Sequence, residues 1–193
     1  MMLKTFNYNK DRATKTLEIF LNNKKSTQKN IASSVYKIIQ DVKRNGDKAV
    51  LKYEKKYSNI KTNSNKIFFS NKEINQIAKK TDNKIKKAID LAYTKIKKFH
   101  SKQKVSNFKF KDKYNNELSY KYSSIDKVGV YVPGGTAGYP STVLMNCFPA
   151  IVAGVKNIYL TTPSLDSNIN SGVVYAAKKC GVKKIYKTGG AHS

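Results

Sequence analysis

Between Val128 and Gly154 the sequence reads Val-Gly-Val-Tyr-Val-Pro-Gly-Gly-Thr-Ala-Gly-Tyr-Pro-Ser-Thr-Val-Leu-Met-Asn-Cys-Phe-Pro-Ala-Ile-Val-Ala-Gly. A short apolar strand, Val128 to Val132, runs into a glycine-rich turn and then into an apolar helix opening near Ser141. Unpaired amides at a helix N-terminus, reached through a turn with few side chains, attract anions such as phosphate. The chemistry this spacing offers is therefore anion binding, with the Pro133-Gly134-Gly135 loop at the strand end as the candidate contact. Spacing alone does not name the ligand. Gly134-Gly135-Thr136-Ala137-Gly138 is not G-x-G-x-x-G, Leu160 and Thr161 stand where an acidic residue would close a second strand, and no Gly-Lys-Ser/Thr follows to make a P-loop. A glycine turn that merely reverses a strand into a helix has the same pattern. Tyr139, Ser141 and Thr142 could touch a ligand, and Ser141 and Thr142 are also natural caps for the helix.

Other reactive side chains are few. The two histidines, His100 and His192, stand too far apart in sequence to supply metal-ligand spacing. The two cysteines, Cys147 and Cys180, lie in apolar helical patterns where a free thiol behaves as a small hydrophobe, as expected in a reducing compartment. The formal charge of +26 invites a nucleic-acid reading, and a basic nucleic-acid-binding module is the alternative to a nucleotide-using enzyme. Against it, Arg12 and Arg44 are the only arginines, whereas phosphate and base recognition favours the guanidinium fork. The lysines are spread along several predicted helices as polar faces, which points to a solvated basic surface without a specific nucleic-acid partner. The Met-Met-Leu-Lys start runs into Asn, Lys and Asp, and no apolar run reaches the roughly 20 residues that a membrane span needs. A soluble, intracellular protein is expected.

The elements that must position the turn follow from periodicity. Asn9 or Asp11 can cap a first helix with Ala13, Leu17, Phe20 and Leu21 on one face, and Ser26 or Thr27 opens a second with Ile31, Val35, Ile38, Ile39 and Val42. Gly46 ends that helix, and Asp47 starts a short one through Ala49, Val50 and Tyr53. Ile67 to Phe69 is a brief strand candidate. Ser70 and Glu73 form a capping box for a helix over about 71–80, and another helix runs from Asp82 to about Lys102 with Ile85, Ala88, Ile89, Ala92, Ile96 and Phe99 inward. The period then changes to two: Phe108, Phe110, Asp112 and Tyr114 alternate, Asn115-Asn116 turns, and Leu118, Tyr120 and Tyr122 alternate back, as in a hairpin.

From Val128 the pattern is strand, helix, strand, helix, strand: Val128–Val132, about Thr142–Gly154, Asn157–Thr161, about Ile169–Cys180 and Lys184–Lys187. Such alternation predicts parallel strands joined by crossover helices, with Pro149 kinking or restarting the first of those helices. The fold class is α/β: a helical N-terminal region (1–104) and a hairpin linker (105–127), followed by a truncated Rossmann-like βαβαβ unit (128–193). Ligands of such sheets bind at the carboxyl ends of the strands, which are the loops at Pro133, Thr161-Thr162-Pro163 and Gly189-Gly190-Ala191-His192.

The wording of these segments is more specific than their spacing. Val128 to Gly135, Tyr139 to Asn146, Pro149 to Val155, Thr161-Thr162-Pro163 and Gly189-Gly190-Ala191, in this order, closely resemble the histidinol dehydrogenase family. Asp41 to Ala49, and Phe99-His100 with Gln103, resemble the same family's N-terminal region. The resemblance implies a cytoplasmic, homodimeric, zinc-dependent enzyme of histidine biosynthesis. Such an enzyme oxidises L-histidinol through L-histidinaldehyde to L-histidine with two NAD. It also implies that the zinc ligands and the glutamate–histidine pair of the family lie beyond Gly-Gly-Ala, so that this chain is an N-terminal fragment with no catalytic and no metal residue of its own. Tyr131 takes the position of the family's NAD-contacting tyrosine beside Pro133, Gly134 and Gly135. His192 falls where the family usually has a glutamine that contacts NAD.

Overall fold

The computed structural model describes residues 13–58, 67–134, 138–163 and 169–193. The chain divides into two compact units, Met1–Ala49 and Val50–Ser193. The first unit is built on one 33-residue helix, α1 (Ala13–Asn45). The two helices expected on either side of Ser26 are thus a single element. No glycine or proline interrupts Ala13–Asn45, and serine and threonine mark a helix start only where the backbone also leaves the helical region. The proposed caps Asn9 and Asp11 lie outside the described residues. Gly46 closes α1 at φ 52° with its amide bonded to the Val42 carbonyl at 2.8 Å, and α2 (Asp47–Tyr57) follows at once.

In the second unit the local signals act as written. The Ser70 side chain accepts from the Glu73 amide while the Glu73 carboxylate accepts from the Ser70 amide, opening α3 (Asn71–Lys79). Asp82 caps α4 (Asn83–Ser101) through the Lys84 and Ile85 amides. The hairpin pairs β1 (Phe108–Lys111) with β2 (Glu117–Tyr120), Phe108 opposite Tyr120 and Phe110 opposite Leu118. Asn115 takes the positive φ (68°) of its turn, and Asp112 Oδ1 accepts from the Tyr114 and Asn116 amides.

The α/β segment forms a three-stranded parallel sheet of β3 (Lys127–Tyr131), β4 (Asn157–Thr161) and β5 (Lys184–Tyr186), in that order. Its crossovers contain α5 (Pro140–Ala153) and α6 (Ser171–Lys179), which pack on each other, while α4 packs on α5 and α3 on α6. In-register neighbours of parallel strands point to one face. Val130, Leu160 and Ile185 therefore share the face that is buried with Leu144, Phe148, Val174 and Ala177 in the core. That core also takes Ile74, Ala78 and Ile89 from α3 and α4. The opposite face carries Tyr131, Thr161 and Tyr186, with Tyr131 exposed.

Three expectations change in detail. The strand candidate at Ile67 to Phe69 is an isolated antiparallel bridge, Phe68 to Tyr186, which covers the free edge of β5. The inward stripe of α4 is Ile89, Ala92, Tyr93 and Ile96, while Ile85, Ala88 and Phe99 are exposed. Tyr93 enters this stripe because its ring meets Phe148 edge-on at 4.8 Å. Finally, of the two outcomes expected at Pro149, a kink or a restart, the restart does not occur, since α5 runs through it. The lost amide would have served the Met145 carbonyl on an exposed turn, where water can replace it. Among the described residues no helix is long and apolar enough to cross a membrane.

Candidate functional site

The carboxyl ends of β3, β4 and β5 converge on Pro163. A β-carbon placed on Gly134 would stand 2.5 Å from Pro163 Cγ, and one on Gly189 would stand 2.5 Å from Pro163 Cβ. The proline ring is therefore held between two glycines, one following β3 and one following β5. Gly134 does not adopt a positive φ. Its missing side chain is needed for this close approach, not for a left-handed turn. Beside it, Pro133 and Gly134 are exposed and Tyr131 presents its ring to solvent at 45% exposure. Gly135 lies outside the described residues.

Backbone and side-chain hydrogen bonds lock the three strand ends in register. The Val132 amide donates to the Thr161 carbonyl at 2.9 Å, and the Thr162 amide donates to the Tyr186 carbonyl at 3.1 Å. Thr161 Oγ1 donates to the Thr188 carbonyl at 2.8 Å and lies 2.6 Å from Thr188 Oγ1. Thr161 is Tyr131's in-register partner on the same face of the sheet, so the segment after β5 is tied one strand away from the exposed tyrosine.

The first turn of α5 opens onto this end of the sheet. Pro140 occupies its first position, and Tyr139 at the N-cap supplies no side-chain hydrogen bond. The side chains of Ser70, Asp82 and Asn170 cap α3, α4 and α6. Ser141 and Thr142, proposed as caps, sit one and two residues inside α5 instead, because the chain enters the helix at Pro140, whose fixed φ suits that position. Pro140 has no amide and the Thr142 amide donates to the Tyr139 carbonyl at 3.1 Å, so what the start of α5 offers an anion is its positive helix end.

His192 is placed differently from Tyr131. Its ring is buried at 3% exposure, with Nε2 2.8 Å from Glu54 Oε1. The rings of Tyr53 and Tyr57 lie 5.8 and 6.1 Å from it. The same Glu54 oxygen accepts from the Gly189 amide at 2.9 Å. Sequence reasoning passes over Glu54, which sits in a run of lysines and reads as part of a solvated face, yet its exposure is 0%. At these strand ends, where parallel sheets hold ligands in a crevice, the Gly189 to His192 segment places a buried Gly189 and an exposed Gly190, while its imidazole is buried against Glu54.

The remaining candidates are accounted for by structure. His100 Nδ1 pairs with Gln103 Oε1 at 2.6 Å at the end of α4. Cys147 and Cys180 are buried free thiols. The hydrogen bond with its neighbour Cys180, together with burial, pushes the Cys147 thiol well above its usual range. Asp90 on α4 accepts from Tyr175 Oη at 3.0 Å and is paired with Lys179 on α6, whose hydrogen bond holds its carboxyl below the usual carboxylate range. Among the described residues no three His, Cys, Asp or Glu side chains gather as a metal site. The zinc implied by the resemblance has no ligand set among them, and no step is assigned to it.

Comparison with known proteins gives the family of the chain. Residues 21–193 match the family model described as histidinol dehydrogenase. A histidinol dehydrogenase of Pelagibacter ubique is 50% identical over 190 residues, 98% of this chain and 43% of the relative. One of Bacillus subtilis is 41% identical over 161 residues, 83% of this chain and 37% of the relative. The crystal structure of histidinol dehydrogenase from Elizabethkingia anophelis superposes with a TM-score of 0.77 at 34% identity, covering 84% of this chain and 37% of the other. The chain spans about two fifths of the length of the curated relatives it matches.

Proposed function

Because the chain belongs to the histidinol dehydrogenase family, we propose that it supplies the N-terminal, cofactor-binding portion of a cytoplasmic enzyme of histidine biosynthesis. That enzyme oxidises L-histidinol through L-histidinaldehyde to L-histidine, and NAD accepts the hydride in each step. The observation that carries the cofactor assignment is the convergence on Pro163 of the Gly134 and Gly189 loops beside the exposed Tyr131, at the carboxyl end of a parallel sheet. Tyr131 offers a ring face to the nicotinamide or adenine, and the pyrophosphate passes over Pro133 and Gly134, with Gly135 as a further contact. The uncapped start of α5 favours the pyrophosphate charge. His192 contributes through the segment that it anchors. The zinc and the proton-transfer groups come from sequence outside the described residues, and the whole enzyme acts as a homodimer.

The test is NAD binding by the purified chain, followed by calorimetry and by ligand-observed NMR. Tyr131→Ala removes an exposed ring, so it leaves the unfolding midpoint unchanged. The loss of one aromatic contact of about 1 kcal/mol weakens NAD by about fivefold. With L-histidinol, NAD and Zn²⁺ the chain alone forms no NADH. Equal NAD affinity in wild type and Tyr131→Ala would remove the cofactor assignment, and steady NADH formation would place the catalytic groups within this chain.

A further inference from the structure

A fully buried carboxylate in a helix of lysines is costly unless it holds something. Glu54 on α2 is such a group, with one oxygen taking two partners and the other none. Oε1 accepts from the Gly189 amide at 2.9 Å and lies 2.8 Å from His192 Nε2. Oε2 is buried without a partner among the described residues. Packing alone would be served by an apolar side chain of similar size, which would carry no idle oxygen.

The two groups bound by Oε1 flank the terminal turn Gly190–His192, so one atom fixes both ends of the segment after β5. The Gly189 end of that segment also lies against Pro163, directly across from Gly134. We propose that Glu54 is a positioning residue for the cofactor crevice. It pins the Gly189 amide and draws the His192 ring inward, so that main chain rather than imidazole lines the crevice on the side facing Tyr131. This proposal rests on the cofactor reading given above.

Amide hydrogen exchange and NAD titration of the same proteins test it. Glu54→Ala is expected to lose protection at the Gly189 amide by at least about tenfold, while the Val132 amide, bonded within the sheet end, keeps its own. NAD affinity should fall by about tenfold, the effect of one charge-assisted anchor. Glu54→Gln keeps the volume and an acceptor oxygen, and should restore both Gly189 protection and affinity to within about threefold of wild type. If Glu54→Ala unfolds the sheet, so that Val132 also loses protection, Glu54→Gln decides the matter. A Gln variant with an unprotected Gly189 overturns the proposal. A Glu54→Ala protein that frees Gly189 yet binds NAD as wild type overturns this proposal and leaves the cofactor reading standing. A wild-type chain without NAD affinity overturns the cofactor reading, and this proposal with it.

Discussion

The contact of two glycines with one proline can be taken apart atom by atom. A methyl group at residue 134 would meet Pro163 Cγ at 2.5 Å, with Cβ at 3.3 Å and Cδ at 3.4 Å. At residue 189 Cβ and Cγ exchange places: Cβ lies at 2.5 Å, Cγ at 2.8 Å and Cδ at 3.0 Å. Neither neighbour is the end of a flexible chain, so Gly134→Ala and Gly189→Ala should each cost about 1–3 kcal/mol of overpacking. Pro163→Ala removes Cγ and Cδ but keeps Cβ. It therefore relieves the clash at residue 134 and leaves the clash at residue 189 intact. Double-mutant cycles should then give a coupling of about 1–2 kcal/mol for Gly134→Ala with Pro163→Ala, and under about 0.5 kcal/mol for Gly189→Ala with Pro163→Ala. The change in unfolded-chain entropy caused by removing the proline cancels within each cycle. Urea unfolding followed by circular dichroism suits a chain without tryptophan. With a slope of about 2 kcal/mol/M, the single variants should shift the midpoint by about 0.5–1.5 M. Equal coupling in the two cycles, or a Gly134→Ala protein as stable as wild type, would refute the claim that these glycines are there to admit Pro163.

Other outcomes follow from single contacts. Ser70→Ala breaks the capping box of α3 and should cost about 1 kcal/mol in urea unfolding, with Ser70→Thr recovering most of it. Asp90 has its pKa lowered by the Lys179 hydrogen bond, so its contribution is present above the ordinary carboxylate range and is lost as pH falls through the lowered value. Since Asp90 is 44% exposed, Asp90→Asn should cost no more than about 1 kcal/mol at pH 7, and the gap to wild type in thermal unfolding should close toward pH 2. Binding to DNA or RNA should be weak, indifferent to sequence and abolished by moderate salt in filter or anisotropy assays, because the +26 charge is carried almost wholly by lysine.

What the sequence reveals correctly is what is decided within a few residues. The Ser70–Glu73 box, the Asp82 cap, the Asn115 turn and the alternation that builds β3, β4 and β5 are each set by neighbours in the chain, and each stands where their chemistry puts it. The misreadings occur where a local signal has more than one use. Ser26 and Thr27 are cap types that a helix can also carry in its interior, and Ile85 and Phe99 keep helical spacing although the face of α4 is chosen by where Phe148 lies.

Gly134 shows the same limit at the site. A glycine after a strand predicts either a left-handed turn or close approach, and only the position of Pro163, 29 residues further on, selects the second. Glu54 was beyond reach altogether. Its partners are 135 and 138 residues away, and in the run Lys52-Tyr53-Glu54-Lys55-Lys56 a carboxylate looks like one more solvated charge. Burial of that charge is set by the return of the chain after β5, a tertiary event without a local signature. The turn that could be recognised from its residues is thus held by one residue whose contact the sequence does not show and by another that it does not single out at all. Pro163 fills the space between the glycines, and Glu54 fixes the segment on which one of them lies. A substitution at Glu54 should therefore loosen the Gly189 segment without touching any residue that the motif contains.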